Sequence, residues 1–238
     1  MAKMPDQFLT TRWSVVLAAT GEDSVARQAK ENLFREAWRP LYAFARRSGC
    51  SQHDAEDAVQ GFITSLLERD SLRNVAPANG RFRSFLLAGM RNHLVDVAAR
   101  AGAQKRGGNV EHMPLDGDAV EQGYLAVAAQ LPTPERAFDR VWALGVMEKA
   151  KAKLAEECAA SGKGAVFAAL FPEKTGQSEE DYATVGGRLG VSETALRSIA
   201  MRLRRRWREL IRAELAELVD SRAALDEEMK CLQAALMD

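Results

Sequence analysis

The sequence predicts an all-α protein: two small helical domains joined by a flexible linker, the C-terminal one a helix-turn-helix. Three observations carry this. Ala, Leu, Arg and Glu dominate the 238 residues and few segments are rich in β-branched residues, a composition that favours helix. Apolar residues recur three or four positions apart through most of the chain. The stretch KRGGNVEHMPLDGD, residues 105–118, interrupts that pattern and reads as a linker. Hydrophobic residues make up 47% and charged residues 28%, ordinary for a soluble globular protein. No apolar run approaches the ~20 residues needed to span a membrane. The N-terminal MAKMPDQFLTTRW lacks an apolar signal core, so a cytoplasmic location with no membrane partner is expected.

The elements follow in order. Residues 27–48 carry Leu33, Trp38, Leu41, Phe44 and Ala45 at helical spacing, with Pro40 expected to start a second helix or kink the first, and Gly49 ending the stretch. Ser51 and Asp54 form a capping box before a helix of about 52–69, whose apolar face is Ala55, Val59, Phe62, Ile63, Leu66 and Leu67. Asp70 to Gly80 reads as a loop, broken by Pro77 and Asn79-Gly80. A long helix of about 82–101 should bury Phe82, Phe85, Leu86, Met90, Leu94 and Val97 on one side. Helix resumes at Pro134-Glu135, since proline suits a first helical turn, and runs to about Ala160. Residues 163–171 form a short helix. The cysteines Cys50, Cys158 and Cys231 are far apart and none forms CxxC, so reduced, mostly buried thiols are expected. Cys50 and His53 have ligand-like spacing, but only His93 and His112 remain as further histidines, and no metal site is expected.

The pattern DYATVGGRLGVSETALRSIAMRLRRRW, residues 181–207, carries the helix-turn-helix expectation. Tyr182, Val185 and Leu189 line a short helix, Gly190 permits a left-handed turn, and Ser192 caps the next helix. In that helix Leu196, Ile199, Leu203, Trp207, Leu210 and Ile211 form one apolar stripe. Arg197, Arg204, Arg205, Arg208 and Arg212 fall largely away from it. Trp207 is read as core, not as a stacking platform.

Formal net charge is zero, with 33 Lys+Arg against 33 Asp+Glu, yet the charge is unevenly spread. Residues 81–108 hold six basic residues against Asp96, and residues 195–212 hold seven arginines against Glu209. Residues 213–238 reverse this, with seven acids against Arg222 and Lys230. A basic helix face behind a helix-turn signature suits phosphate contact, and the residues from Ser192 to Arg202 would enter the major groove. The alternative for such a face is a solvated basic helix packing on acidic neighbours. The acidic tail, with Leu215, Leu218, Leu225, Leu232 and Leu236, is expected to form one or two amphipathic helices. It is expected to pack on the C-terminal domain, either as a stabilising extension or to temper nucleic-acid binding by charge competition.

DAEDAVQGFITSLL (residues 54–67) followed by GRFRSFLLAGMRNHLVDVAAR (residues 80–100) and the C-terminal pattern resembles a bacterial RNA polymerase sigma factor of the extracytoplasmic-function type. The resemblance implies a sigma region 2-like domain at 28–108, a linker at 109–134 and a sigma region 4-like domain at 135–212; an N-terminal extension at 1–27 and the acidic helical tail at 213–238 are extra to that pattern. It places Asp54, Glu56, Asp57 and Gln60 on the helix that docks on polymerase. It assigns Phe82, Arg83, Arg91 and Asn92 to the proximal promoter element, with loop 72–81 capturing an extruded base. Phe82 and Phe85 could equally be core, and core packing is the stronger expectation for Phe85. It assigns the distal element to Ser192, Thr194, Arg197, Ser198, Met201, Arg202 and Arg205. The family commonly has an acid after the glutamine of its clamp helix, where this chain has Gly61.

The implied partners are core RNA polymerase and promoter DNA, with an anti-sigma factor or a regulatory kinase as a further partner class. The alternative is a helix-turn-helix regulator that acts without polymerase. An enzyme is not expected: the chain holds no P-loop, GxGxxG, HExxH or GxSxG, and its three histidines leave little room for acid–base chemistry. No cofactor is implied.

Overall fold

The structure, a computed structural model, describes residues 24–68, 82–101, 117–171, 181–219 and 221–237. Among the described residues all regular structure is helical: α1 (Ser24–Arg47), α2 (Gln52–Glu68), α3 (Phe82–Ala101), α4 (Gly117–Val127), α5 (Pro134–Ala160), α6 (Gly164–Leu170), α7 (Tyr182–Leu189), α8 (Glu193–Ala216) and α9 (Arg222–Met237). No helix among them is long and apolar enough to cross a membrane. The chain divides into two compact units, residues 1–145 with 215–238, and residues 146–214.

In the first unit α1 packs against α2, α3 and α4, and α2 against α3. Trp38, Leu41, Tyr42, Val59, Phe62, Phe82, Leu86 and Met90 are buried among them. α1 continues through a buried Pro40, so no second helix starts there: packing outweighs the missing N–H. The start of α2 shows half of the capping box read from the sequence: the Asp54 N–H donates to Ser51 Oγ at 3.2 Å, while the Asp54 carboxylate accepts at 2.6 Å from the Ser51 hydroxyl, where a full box would have the Ser51 N–H. Gly61 has a packing reason. A Cβ there would lie 3.3 Å from His93 Nε2 on α3, so any side chain in its place needs the His93 ring to give by a few tenths of an ångström. The same helix pair meets at Gly89, where a Cβ would sit 2.8 Å from the Phe62 ring.

Two expectations about connectivity are corrected. The segment read as linker is helical over Gly117–Val127 and is fastened to α1. Tyr42 donates to Glu121 Oε2, and Arg46 grips the same carboxylate through Nε at 2.9 Å and Nη2 at 2.7 Å. The Arg46 guanidinium also lies 5.3 Å from the Tyr124 ring centroid. Hydrogen bonding from Arg46 holds the Glu121 carboxyl below its ordinary value; burial opposes this, and the Tyr42 hydroxyl assists it. Residues 109–116 lie outside the described residues.

The acidic tail groups with the first unit, not with the C-terminal domain as expected. Its Leu215, Leu218, Val219, Leu225 and Leu232 are buried there, and Arg140 donates to the Ala235 carbonyl at 3.1 Å. The apolar spacing of the tail foretold a buried face but not which domain it faces.

The second unit contains the later part of α5, α6, α7 and most of α8. Phe167, Phe171 and Trp207 form an aromatic cluster, Phe171 stacking on Phe167 at 5.3 Å and meeting Trp207 edge-on at 5.7 Å. Trp207 is thus a packing residue, and its indole N–H donates to the Met147 carbonyl at 3.4 Å. Glu214, 5% exposed, is held by Lys149 at 3.1 Å and by Lys153. All three cysteines are free thiols, with Cys158 buried and Cys50 and Cys231 half-buried.

Candidate nucleic-acid interface

The turn between α7 and α8 is built from local chemistry. Asp181 caps α7, its carboxylate accepting from the Thr184 N–H at 2.7 Å. Gly190 closes the helix with φ 66°, in the left-handed region. The Val191 N–H then donates to the Gly186 carbonyl at 2.9 Å. This approach is so close that a Cβ on Gly186 would lie 2.5 Å from the Val191 carbonyl oxygen. Ser192 caps α8, accepting from the Ala195 N–H at 3.3 Å. Val185, Leu196, Ala200, Leu203, Leu210 and Ile211 are buried, which fixes the rotation of α8 about its axis.

That rotation leaves Thr194, Arg197, Ser198, Met201, Arg202 and Arg205 all exposed. Their spacing follows a helical face, and at 1.5 Å per residue the stripe runs about 16 Å. Met201, at its centre, is 68% exposed, unusual for so large an apolar side chain on a face otherwise polar. The arginines differ in how they are held. Arg197 is braced by Glu193 at 2.6 Å, with its guanidinium 4.9 Å from the Tyr182 ring centroid. Arg205 pairs with Glu209 at 3.1 Å. Arg206 is engaged by Glu157 at 2.7 Å and by Glu209 at 3.3 Å, and hydrogen bonding to Glu157 holds its guanidinium above the ordinary value. Arg202 and Arg208 are exposed and form no ion pair with a described residue.

The proximal set is split. Arg91 and Asn92 are exposed on α3, Arg91 reaching Glu135 at the start of α5. Phe82, by contrast, is 2% exposed, and its neighbour Phe85 is half-buried, the reverse of the expected order. Arg83 is 12% exposed and lies between two carboxylates, hydrogen-bonded to Asp139 of α5 and 3.3 Å from Glu228 of α9. Burial pulls this guanidinium down, but the Glu228 and Asp139 charges outweigh it and hold it above its ordinary value. Asp139 moves the opposite way from a simple pair: burial raises its carboxyl more than Arg83 lowers it. The expected base-capturing loop, 72–81, lies outside the described residues.

On α2, Asp54 is exposed but committed to its capping box. Asp57 is exposed with His53 at 3.6 Å, and half-buried Glu56 accepts from Gln52 at 3.4 Å. Gln60 is 7% exposed and so faces inward. Sequence reasoning missed Asp139, Glu228 and the Tyr42–Arg46–Glu121 grip. For Glu228 a signal existed: it follows Leu225 by three and precedes Leu232 by four, on the apolar face of its helix. Comparison with known protein families, curated proteins and solved structures found no match to this chain.

Proposed function

We propose that this protein is a sigma-type subunit of the extracytoplasmic-function kind, which binds core RNA polymerase and directs it to promoter DNA. The observation that carries the reading is the exposed stripe Thr194–Arg205, presented by a helix whose start is set by a glycine turn and a serine cap. Duplex binding through such a stripe would use Arg202 and Arg205 on phosphates or guanine edges and leave Met201 for an apolar contact such as a thymine methyl. Arg197, oriented by Tyr182 and Glu193, would arrive with less side-chain freedom to lose. On the first unit, exposed Arg91 and Asn92 would meet the proximal element, and Glu56 and Asp57 would offer an acidic face to polymerase.

A second reading, a DNA-binding regulator that never joins polymerase, draws support from Gln60, whose burial removes one of the four residues assigned to polymerase docking. Run-off transcription with core polymerase on selected promoter DNA separates the two. The proposal expects a specific transcript that depends on this chain, and co-purification of the chain with core enzyme. Specific duplex binding by the free protein, without transcript or co-purification, would instead establish the regulator.

A further inference from the structure

Arg83 lies in a recess of the first unit lined also by Asp139, Trp142, Glu228, Cys231 and Leu232. Three of these residues, Glu228, Cys231 and Leu232, come from α9, so the C-terminal helix forms one wall. Two carboxylates, Asp139 and Glu228, face the Arg83 guanidinium. Glu228 is itself 4% exposed, although it belongs to the consecutive acids Asp226, Glu227 and Glu228, a run otherwise turned to solvent. A buried carboxylate facing a guanidinium supplies the negative charge that a phosphate would bring, here through a single approach of Glu228 Oε2 to Arg83 Nε. The Trp142 indole N–H, buried and without a hydrogen-bond acceptor, adds a second donor on the same recess.

We propose that α9 is an internal cap that occupies a phosphate-binding recess of the first unit, with the Glu228 carboxylate standing where a nucleic-acid phosphate binds Arg83 once the helix lifts away. The proposal rests on the reading of this protein as one that binds promoter DNA, and it adds a closed state to that reading. In the closed state Arg83 and Trp142 are shielded, and the exposed Arg91 and Asn92 are the accessible members of the proximal set. In the open state the recess contributes a further phosphate contact. Lifting α9 also uncovers Cys231, half-buried against the recess, which gives the two states different thiol accessibility.

The test uses full-length protein and two readouts. The first is the rate of Cys231 alkylation by iodoacetamide, followed by mass spectrometry so that Cys50 and Cys158 are scored separately. The second is the affinity for a fluorescent single-stranded oligodeoxynucleotide at low salt, without polymerase, where one extra phosphate contact is least screened. Glu228→Gln is expected to speed Cys231 alkylation severalfold and to raise affinity about threefold to tenfold, a change that disappears in the Arg83→Gln, Glu228→Gln double variant. Glu227→Gln, which removes an exposed acid paired with Lys230, controls for the loss of one negative charge and should show no Arg83-dependent gain. Unchanged alkylation and affinity in Glu228→Gln overturns the cap. So does faster alkylation without an affinity gain, or a gain that survives the loss of Arg83. Because no polymerase is present, an Arg83-dependent gain in a chain that fails in run-off transcription would sink the sigma reading and keep the cap.

Discussion

Two stretches carry nearly the same basic sequence signal, and one arginine from each, Arg202 and Arg83, ends in opposite surroundings. The stretch 195–212 and the stretch 81–108 are both strongly basic for their length. In α8 a continuous apolar stripe is buried on one side, so Arg202, Arg205 and Arg208 are turned to water. In α3 Phe82 is buried and Arg83 ends between Asp139 and Glu228, while Arg91 further along stays exposed. Local charge density therefore does not identify a nucleic-acid surface; what matters is how many carboxylates the fold brings to each guanidinium. A surface arginine costs the fold little and is available to a ligand, whereas a buried one is part of the core's electrostatic balance.

The largest expected effect breaks the comparison at its buried end. Arg83→Ala would remove the guanidinium that lies between Asp139 and Glu228, and should cost about 3–5 kcal/mol of stability. Urea denaturation of the full chain, read as a midpoint shift, checks this; a cost within ~0.5 kcal/mol, as for an ordinary surface substitution, would put Arg83 in the same class as Arg202.

Next comes the turn that aims the exposed arginines. Gly186→Ala places a methyl against the backbone oxygen of Val191, which cannot rotate away as a flexible side chain could. A loss of about 1–3 kcal/mol is expected, with DNA affinity falling alongside it. Thermal unfolding and a mobility-shift titration on the same preparation test whether the two losses travel together.

Arg202→Ala sharpens the exposed end. Stability should stay within ~0.5 kcal/mol of the parent. Binding to the distal element should weaken by about 1–3 kcal/mol if the contact is to a base, or the salt slope should fall by about one if it is to a phosphate. Equal affinity and equal slope would remove Arg202 from the interface.

The smallest effect concerns Arg46, an arginine that is paired but only half-buried. Its partner Glu121 has a carboxyl lowered from the ordinary value of 4.5. A lowered folded-state value means that the unfolded chain takes up the proton first. The contribution to stability is therefore complete above 4.5 and is lost as pH falls below it. Glu121→Gln should flatten the acid limb of the stability profile: its deficit relative to the parent is largest and pH-independent in the neutral region and shrinks as pH falls below 4.5, measurable by denaturation at a series of pH values.

The sequence disclosed what is local. The bounds of α3, α5 and α7, the Ser51–Asp54 capping box, the Gly190 turn and the Ser192 cap all depend on residues within one or two turns of each other. The face of α8 was legible because Leu196, Leu203, Leu210 and Ile211 define its rotation without reference to any other segment. What was not legible depends on long-range pairing. Glu121 meets Arg46 75 residues away, and Arg83 meets Asp139 56 residues away. Neither distance leaves a mark in periodicity. The tail is the clearest case: Leu225 and Leu232 announced a buried face, but its destination depends on Arg83, which reads in isolation as a basic surface residue.

The proposed function requires that the stripe on α8 meet promoter DNA while the chain is bound to polymerase. Met201 lies in the middle of that stripe and is exposed, so a photo-crosslinking amino acid in its place reports the contact directly. With full-length protein, core polymerase and promoter DNA labelled on both strands, irradiation should yield a crosslink to the DNA at one upstream position, dependent on polymerase. A crosslink only to protein, or one spread evenly along the duplex whether or not polymerase is present, would contradict the claim.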